Sequence, residues 1–112
     1  MGGLIEIPYL KQPWEQRTLR FDWTQDCQPL IDNGYAFSTT VVAVFDSSGV
    51  DVSSTLIQGT PARTGNYVYV TVKAGTDGQD YYGRIRVTLT KALSEDEKIE
   101  ADFLIQVREK GK

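Results

Sequence analysis

The stretch Ala74-Gly75-Thr76-Asp77-Gly78-Gln79-Asp80-Tyr81-Tyr82 divides one alternating segment from two longer ones, and its reading decides the fold. Glycine and aspartate concentrate there because both tolerate turn conformations, glycine by lacking a Cβ and aspartate by local hydrogen bonding. Downstream, Tyr81, Gly83, Ile85, Val87 and Leu89 alternate with Arg84, Arg86, Thr88 and Thr90. Successive side chains of a strand point to opposite faces, so the first set shares one face and the second set the other. Ile99, Ala101, Phe103, Ile105 and Val107 repeat the pattern against Glu100, Asp102, Leu104, Gln106 and Arg108. The pair predicts a closing hairpin that buries one face and hydrates the other. A hairpin of this kind specifies a module but places no reactive group.

Working back toward the N-terminus, Asn66 to Lys73 alternates Val68, Val70 and Val72 with Tyr67, Tyr69 and Thr71. Val50 to Ile57 reads as a strand between two turns, Asp46-Ser47-Ser48-Gly49 and Gln58-Gly59-Thr60-Pro61. Ala36 to Phe45 is rich in β-branched residues, and the run Val41-Val42-Ala43-Val44-Phe45 predicts a strand covered on much of both faces. Gln25 to Gly34 is polar, contains Pro29 and ends in Asp32-Asn33-Gly34, so it reads as a connection. Thr18 to Trp23 puts Leu19, Phe21 and Trp23 on one side of a half-buried strand. Lys11 to Glu15 reads as extended, because the residue before Pro13 avoids the helical region. Leu4 to Ile7 is a first edge strand stopped by Pro8. About seven strands at short spacing, with no window of helical periodicity over ten residues, predict an all-β protein: an antiparallel, immunoglobulin-like β-sandwich. Residues 1–112 form a single domain in this reading, with 1–3 mobile and 109–112 frayed.

A chain of 112 residues buries roughly two-thirds of its unfolded surface, enough for one core without metals or crosslinks. Twelve basic residues against 15 acidic ones leave a net charge of −3, which argues against nucleic acid as a partner. A single cysteine, Cys27, cannot form an internal disulfide, and neither a signal segment nor a membrane-spanning run is legible. The chain reads as a soluble protein folded in the cytosol.

Histidine is absent, which removes serine–histidine and cysteine–histidine nucleophile systems and imidazole-based zinc sites. No glycine-rich phosphate loop is present, and no cofactor or metal is expected. Asp77 and Asp80 suit a turn better than a calcium site, and Ser94-Glu95-Asp96-Glu97 suits a solvated loop tip better than a capped helical turn. Cys27 has no base near it in sequence and reads as an idle buried thiol. Trp23 is in phase with Leu19 and Phe21 and belongs to the core. Tyr67 and Tyr69 lie opposite the valine face of their strand, as cross-strand packing residues or as an exposed aromatic stripe. Trp14 either covers the sandwich edge, the favoured role, or meets a partner. Trp14, Tyr67 and Tyr69 are therefore the candidate interface residues, and their union in one exposed patch would favour a carbohydrate-binding or adhesion module.

Lys11-Gln12-Pro13-Trp14-Glu15 followed by Phe21-Asp22-Trp23 resembles the opening signature of small tailed-bacteriophage proteins of the fiber–tail adaptor type. Val70 to Gly78 and the closing strand from Phe103 to Glu109 are similar to the same family, so the resemblance spans most of residues 11–109. Pro13, Trp23, Gly75, Asp77, Gly78 and Tyr81 carry it. It implies a short, immunoglobulin-like structural part of a phage or prophage virion, made in the host cytoplasm. The implied partners are other tail, baseplate or fiber proteins, or further copies of the chain. Gln25 to Tyr35, which carries Cys27, and the acidic turn Thr90 to Lys98 are longer than in that family. In immunoglobulin-like domains a tyrosine at the start of the penultimate strand ties its hydroxyl to the preceding turn. Tyr81, in phase with Ile85 and Val87, is the residue placed for this role.

Overall fold

A computed structural model of the chain describes residues 9–109. The element order is β1 (Tyr9–Lys11), β2 (Arg17–Asp22), α1 (Thr24–Asp32), β3 (Ala36–Phe45), α2 (Ser53–Leu56), β4 (Ile57–Thr64), β5 (Tyr67–Val72), β6 (Asp80–Thr90) and β7 (Glu97–Val107). The strands form a four-stranded sheet in the order β1-β7-β6-β3 and a three-stranded sheet in the order β2-β5-β4. Every pairing is antiparallel except β1 with β7, which is parallel. In this two-sheet order the second, fourth and fifth strands oppose the third, sixth and seventh, the partition of an immunoglobulin-like sandwich. The expected strand at residues 4–7 lies outside the described residues, as do residues 1–3 and 110–112.

The core follows from the alternation. Tyr81, Ile85, Val87 and Leu89 of β6 and Ala101, Phe103, Ile105 and Val107 of β7 are buried, and they face Leu19, Phe21, Val68, Val70 and Val72 of the other sheet. The Phe21 and Phe103 rings meet across the sandwich with centroids 4.9 Å apart. Gly83 pairs with Phe103. A Cβ at Gly83 would stand 2.1 Å from Phe103 Cζ, so the missing side chain is the space the ring fills. Trp23 is fully buried. Outside, Arg86 and Glu100 form an ion pair at 2.6 Å, and Arg84 lies 3.8 Å from both Glu100 and Asp102, which fixes charge complementarity along the hydrated face.

Between Trp23 and Thr64, four segments differ from the sequence reading. Residues 24–32 are helix α1 rather than a connection: Trp23, Cys27, Leu30 and Ile31 fall at helical spacing, and Cys27 is buried while Leu30 and Ile31 pack against the core. The Asp32-Asn33-Gly34 turn is the end of that helix. The Tyr35 N–H donates to Leu30 O and the Gly34 N–H to Ile31 O, with Gly34 at φ +95°, a Schellman cap. The segment from Val50 to Ile57 is not a strand, because the Asp51 carboxylate accepts from both the N–H and the hydroxyl of Ser53 and starts the helical turn α2. The expected turn at residues 58–61 is instead an irregularity inside the edge strand β4, whose ladder with β5 shifts between Gln58 and Ala62. Finally, β3 is covered on one face only: Val44 is buried, whereas Val41 is 57 % exposed.

Candidate interaction surface

The signature Lys11 to Glu15 is a locked turn, not the extended segment expected. Pro13 sits at the second position of a turn closed by the Glu15 N–H donating to Gln12 O at 3.1 Å, and the Gln12 N–H donates back to Glu15 Oε1 at 2.8 Å. Proline favours that position because its ring presets φ. Lys11 is the one charged residue among the described buried set, 1 % exposed. Its ammonium donates to Gln12 O at 2.8 Å, to Pro13 O at 3.3 Å and to Ala74 O. Three donors thus meet three carbonyls, and Lys11 joins the N-terminal turn to the loop between β5 and β6. Burial pushes the ammonium's pKa below the ordinary lysine range, and the nearby Glu15 carboxylate works against that shift.

Trp14 stands at the tip of this turn, 94 % exposed. It does not cover the sandwich edge, the role the sequence favoured. Tyr67 and Tyr69 are half-buried on the outer face of β5, with the Arg20 guanidinium 4.8 Å over the Tyr67 ring. The structure does not gather the three aromatics. Tyr67 pairs with Asp22 at one end of the β2–β5 ladder, while Trp14 precedes Arg17 at the other. Five residue steps of extended chain separate those ends, about 17 Å.

Gly75, Asp77, Gly78 and Tyr81 sit in one corner, whereas Trp23 is buried at the other end of β2. Gly75 has φ +97°, and a Cβ there would lie 2.8 Å from Val107 Cγ2, so the loop can pack against the closing strand only with glycine. The Tyr81 hydroxyl accepts from the Thr76 N–H at 3.1 Å, and Tyr81 is buried whereas Tyr82 is exposed. Asp77 Oδ1 accepts from the Glu109 N–H, the Gly78 N–H donates to Val107 O, and Asp80 pairs with Arg108 at 2.8 Å. Both carboxylates hold the end of β7. Among the described residues no group of three or more metal-ligating side chains converges.

Sequence reasoning misses Leu93. It is fully exposed at φ +63° in the loop between β6 and β7, the pole opposite Trp14. An apolar residue directly before the polar run Ser94 to Glu97 is the signal that marks it. A shallow depression on the outer face of the four-stranded sheet lies between Val41, Arg86, Lys98 and Glu100. The arginine and glutamate that line it are already paired with each other.

Cys27 is fully buried, and burial together with the Asp26 charge raises its pKa to about 11. At pH 8 only about 0.1 % would be thiolate. Native protein should therefore resist a thiol reagent for as long as it stays folded, and react with one equivalent in denaturant. Rapid native labelling at pH 8 would show that α1 opens readily.

Comparison with protein-family models, curated proteins and solved structures finds no match to this chain. The resemblance to fiber–tail adaptors thus rests on its own residues. Among the described residues no helix is long and apolar enough to cross a membrane.

Proposed function

We propose that this chain is a non-enzymatic structural protein of a phage or prophage virion, an adaptor that docks to tail, baseplate or fiber proteins. The observation that carries the reading is Trp14, an almost fully exposed indole on a turn fixed from both sides by Lys11 and Glu15. Exposing a tryptophan forfeits the burial free energy of a large apolar surface, and aromatic residues dominate binding energy when an interface covers them. A turn that is already rigid loses little further entropy on docking. The signature residues themselves are spent on the fold, and Trp14, at the variable position between Pro13 and Glu15, is the exposed residue of that turn available to a partner. Leu93, at the opposite pole, supplies a second contact of the kind an adaptor between two neighbours needs.

The test is compositional. Particles purified from cells carrying the gene, and cleared of free protein on a density gradient, should contain the chain at a fixed ratio to the tail proteins. Its absence from intact particles, with abundant chain left in the cytoplasm, would sink the virion reading.

A further inference from the structure

The four-stranded sheet ends on β3, and the middle of that strand has an open hydrogen-bonding edge. Backbone groups alternate sides along a strand. At Val44 both outward groups are taken: its N–H donates to Ser53 Oγ at 2.8 Å and its carbonyl accepts from the Val52 N–H at 2.8 Å. By the same alternation Val42 and Thr40 direct their N–H and C=O outward, and no described residue partners them. The ladder is irregular between Phe37 and Thr39. The open edge is therefore bounded on both sides.

Sandwich proteins usually blunt such an edge with charge, proline or brevity. The other three edges here follow that rule: β1 has three residues, β2 carries Arg17, Arg20 and Asp22, and β4 carries Pro61 and Arg63. Strand β3 has ten residues with neither a charge nor a proline. At its centre Val41 is 57 % exposed.

We infer that a second copy of this chain pairs with this edge, β3 antiparallel to β3 about a two-fold axis at Val41. The occupied groups of Val44 and the irregularity near Ser38 leave one register. Thr40 faces the partner's Val42, Val42 faces the partner's Thr40, and each pair exchanges both N–H···O=C bonds. Val41 then meets its own symmetry mate in the closely spaced, non-hydrogen-bonded position, so the large exposed apolar residue at the centre of the strand becomes covered. Charge permits the approach even though the chain is net negative. Arg86 and Arg84, which pair with Val41 and Ala43 across the β3–β6 ladder, are held by Glu100 and Asp102 of β7, and Arg63 of β4 lies over the Phe37 ring at the far end of the strand. So short a ladder buries less than the roughly 1,200 Å² of a standard stable interface, which makes the dimer concentration-dependent. This inference stands on the β3 edge, independently of Trp14 and of the virion reading.

Sedimentation equilibrium of the full chain tests it, together with oxidative capture. Wild type should show a weight-average mass that rises from monomer toward dimer with concentration. Val41→Lys should raise the dimer dissociation constant about tenfold or more, since like charges directly opposite repel, at an unchanged Tm. Val41→Cys should give a covalent dimer, because non-hydrogen-bonded pairs place Cα atoms about 4.5 Å apart, within disulfide reach. Leu10→Cys, somewhat more exposed but on β1, should not, and this pair keeps the test decisive if the lysine perturbs folding. A wild type that stays monomeric to about millimolar concentration would overturn the inference. So would dimerisation untouched by Val41→Lys, or cross-linking of Leu10→Cys as efficient as that of Val41→Cys.

Discussion

Trp23→Ala is expected to lower stability by about 3 to 5 kcal/mol, the range for deleting a large aromatic from a packed core. Trp23 is fully buried and closes the core where β2 passes into α1. Its N–H donates to Asn66 O at 2.8 Å, and its carbonyl accepts from the Cys27 N–H at 2.8 Å. The indole thus fills the space under a junction whose backbone is tied to the loop between β4 and β5. For a domain of this size each kcal/mol moves Tm by roughly 3 to 6 °C, so the fall should exceed about 10 °C. Trp23→Phe should cost much less, because the indole N–H has no partner among the described residues and its removal leaves none of them newly unpaired. Thr71→Ala loses only an exposed hydroxyl contact with Thr18 and should stay close to wild type. Thermal unfolding of the three variants gives the order, and an unchanged midpoint for Trp23→Ala would remove the residue from the core.

Lys11→Met carries the second large effect, about 2 to 4 kcal/mol. Methionine replaces the stem of the lysine but none of its donors, and the carbonyls of Gln12, Pro13 and Ala74 lose the ammonium they share. Hydrogen bonds to a charged donor are stronger than neutral ones, and a buried carbonyl left unpaired costs further free energy. Ala74 makes the loss worse. It sits at φ +55°, a left-handed conformation costly for a residue with a Cβ, and the Lys11 contact is what holds its carbonyl. Lys98→Met, on an exposed position of β7, is the control and should be nearly neutral. Denaturant unfolding of both variants checks the difference. Equal midpoints would show that water replaces the ammonium at no cost.

The sequence makes the long strands legible because their burial is periodic. The alternation from Tyr81 to Leu89 and from Ile99 to Val107 is the alternation of buried and open positions in β6 and β7. Trp23 is legible for the same reason. Elements decided by local side-chain chemistry are not. Helix α1 is nine residues long with Pro29 inside it, so its apolar face amounts to Cys27, Leu30 and Ile31, too few to outweigh a polar composition. Helix α2 follows from one carboxylate, Asp51, bonding Ser53. The burial of Lys11 has no periodic signature, since β1 is three residues long and the acceptors come from loop carbonyls 63 residues away as well as next door.

The candidate surface was legible only in part. A proline-bearing segment marks Trp14 as unusual, but whether its ring turns inward depends on the Gln12 to Glu15 turn, which Lys11 and Glu15 set jointly. The tyrosines show the converse. Their phase on β5 places them on the outer face, yet Arg20 over Tyr67 makes that residue part of ordinary cross-strand packing. The apolar run in β3 predicted two covered faces, and the second face is open in the single chain. That excess of apolar character is where sequence and isolated fold disagree. Pairing of two β3 edges removes part of it.

The separation of fold from docking is tested most directly by the occupancy of Trp14→Ala in particles purified from a deletion complemented with the variant, read beside its Tm. Trp14 contributes nothing to the core, so the variant should unfold at the wild-type temperature and yet be incorporated at about a tenth of wild-type occupancy or less, the loss expected of an aromatic hot spot. Wild-type occupancy at an unchanged Tm would contradict the assignment of Trp14 as the docking anchor.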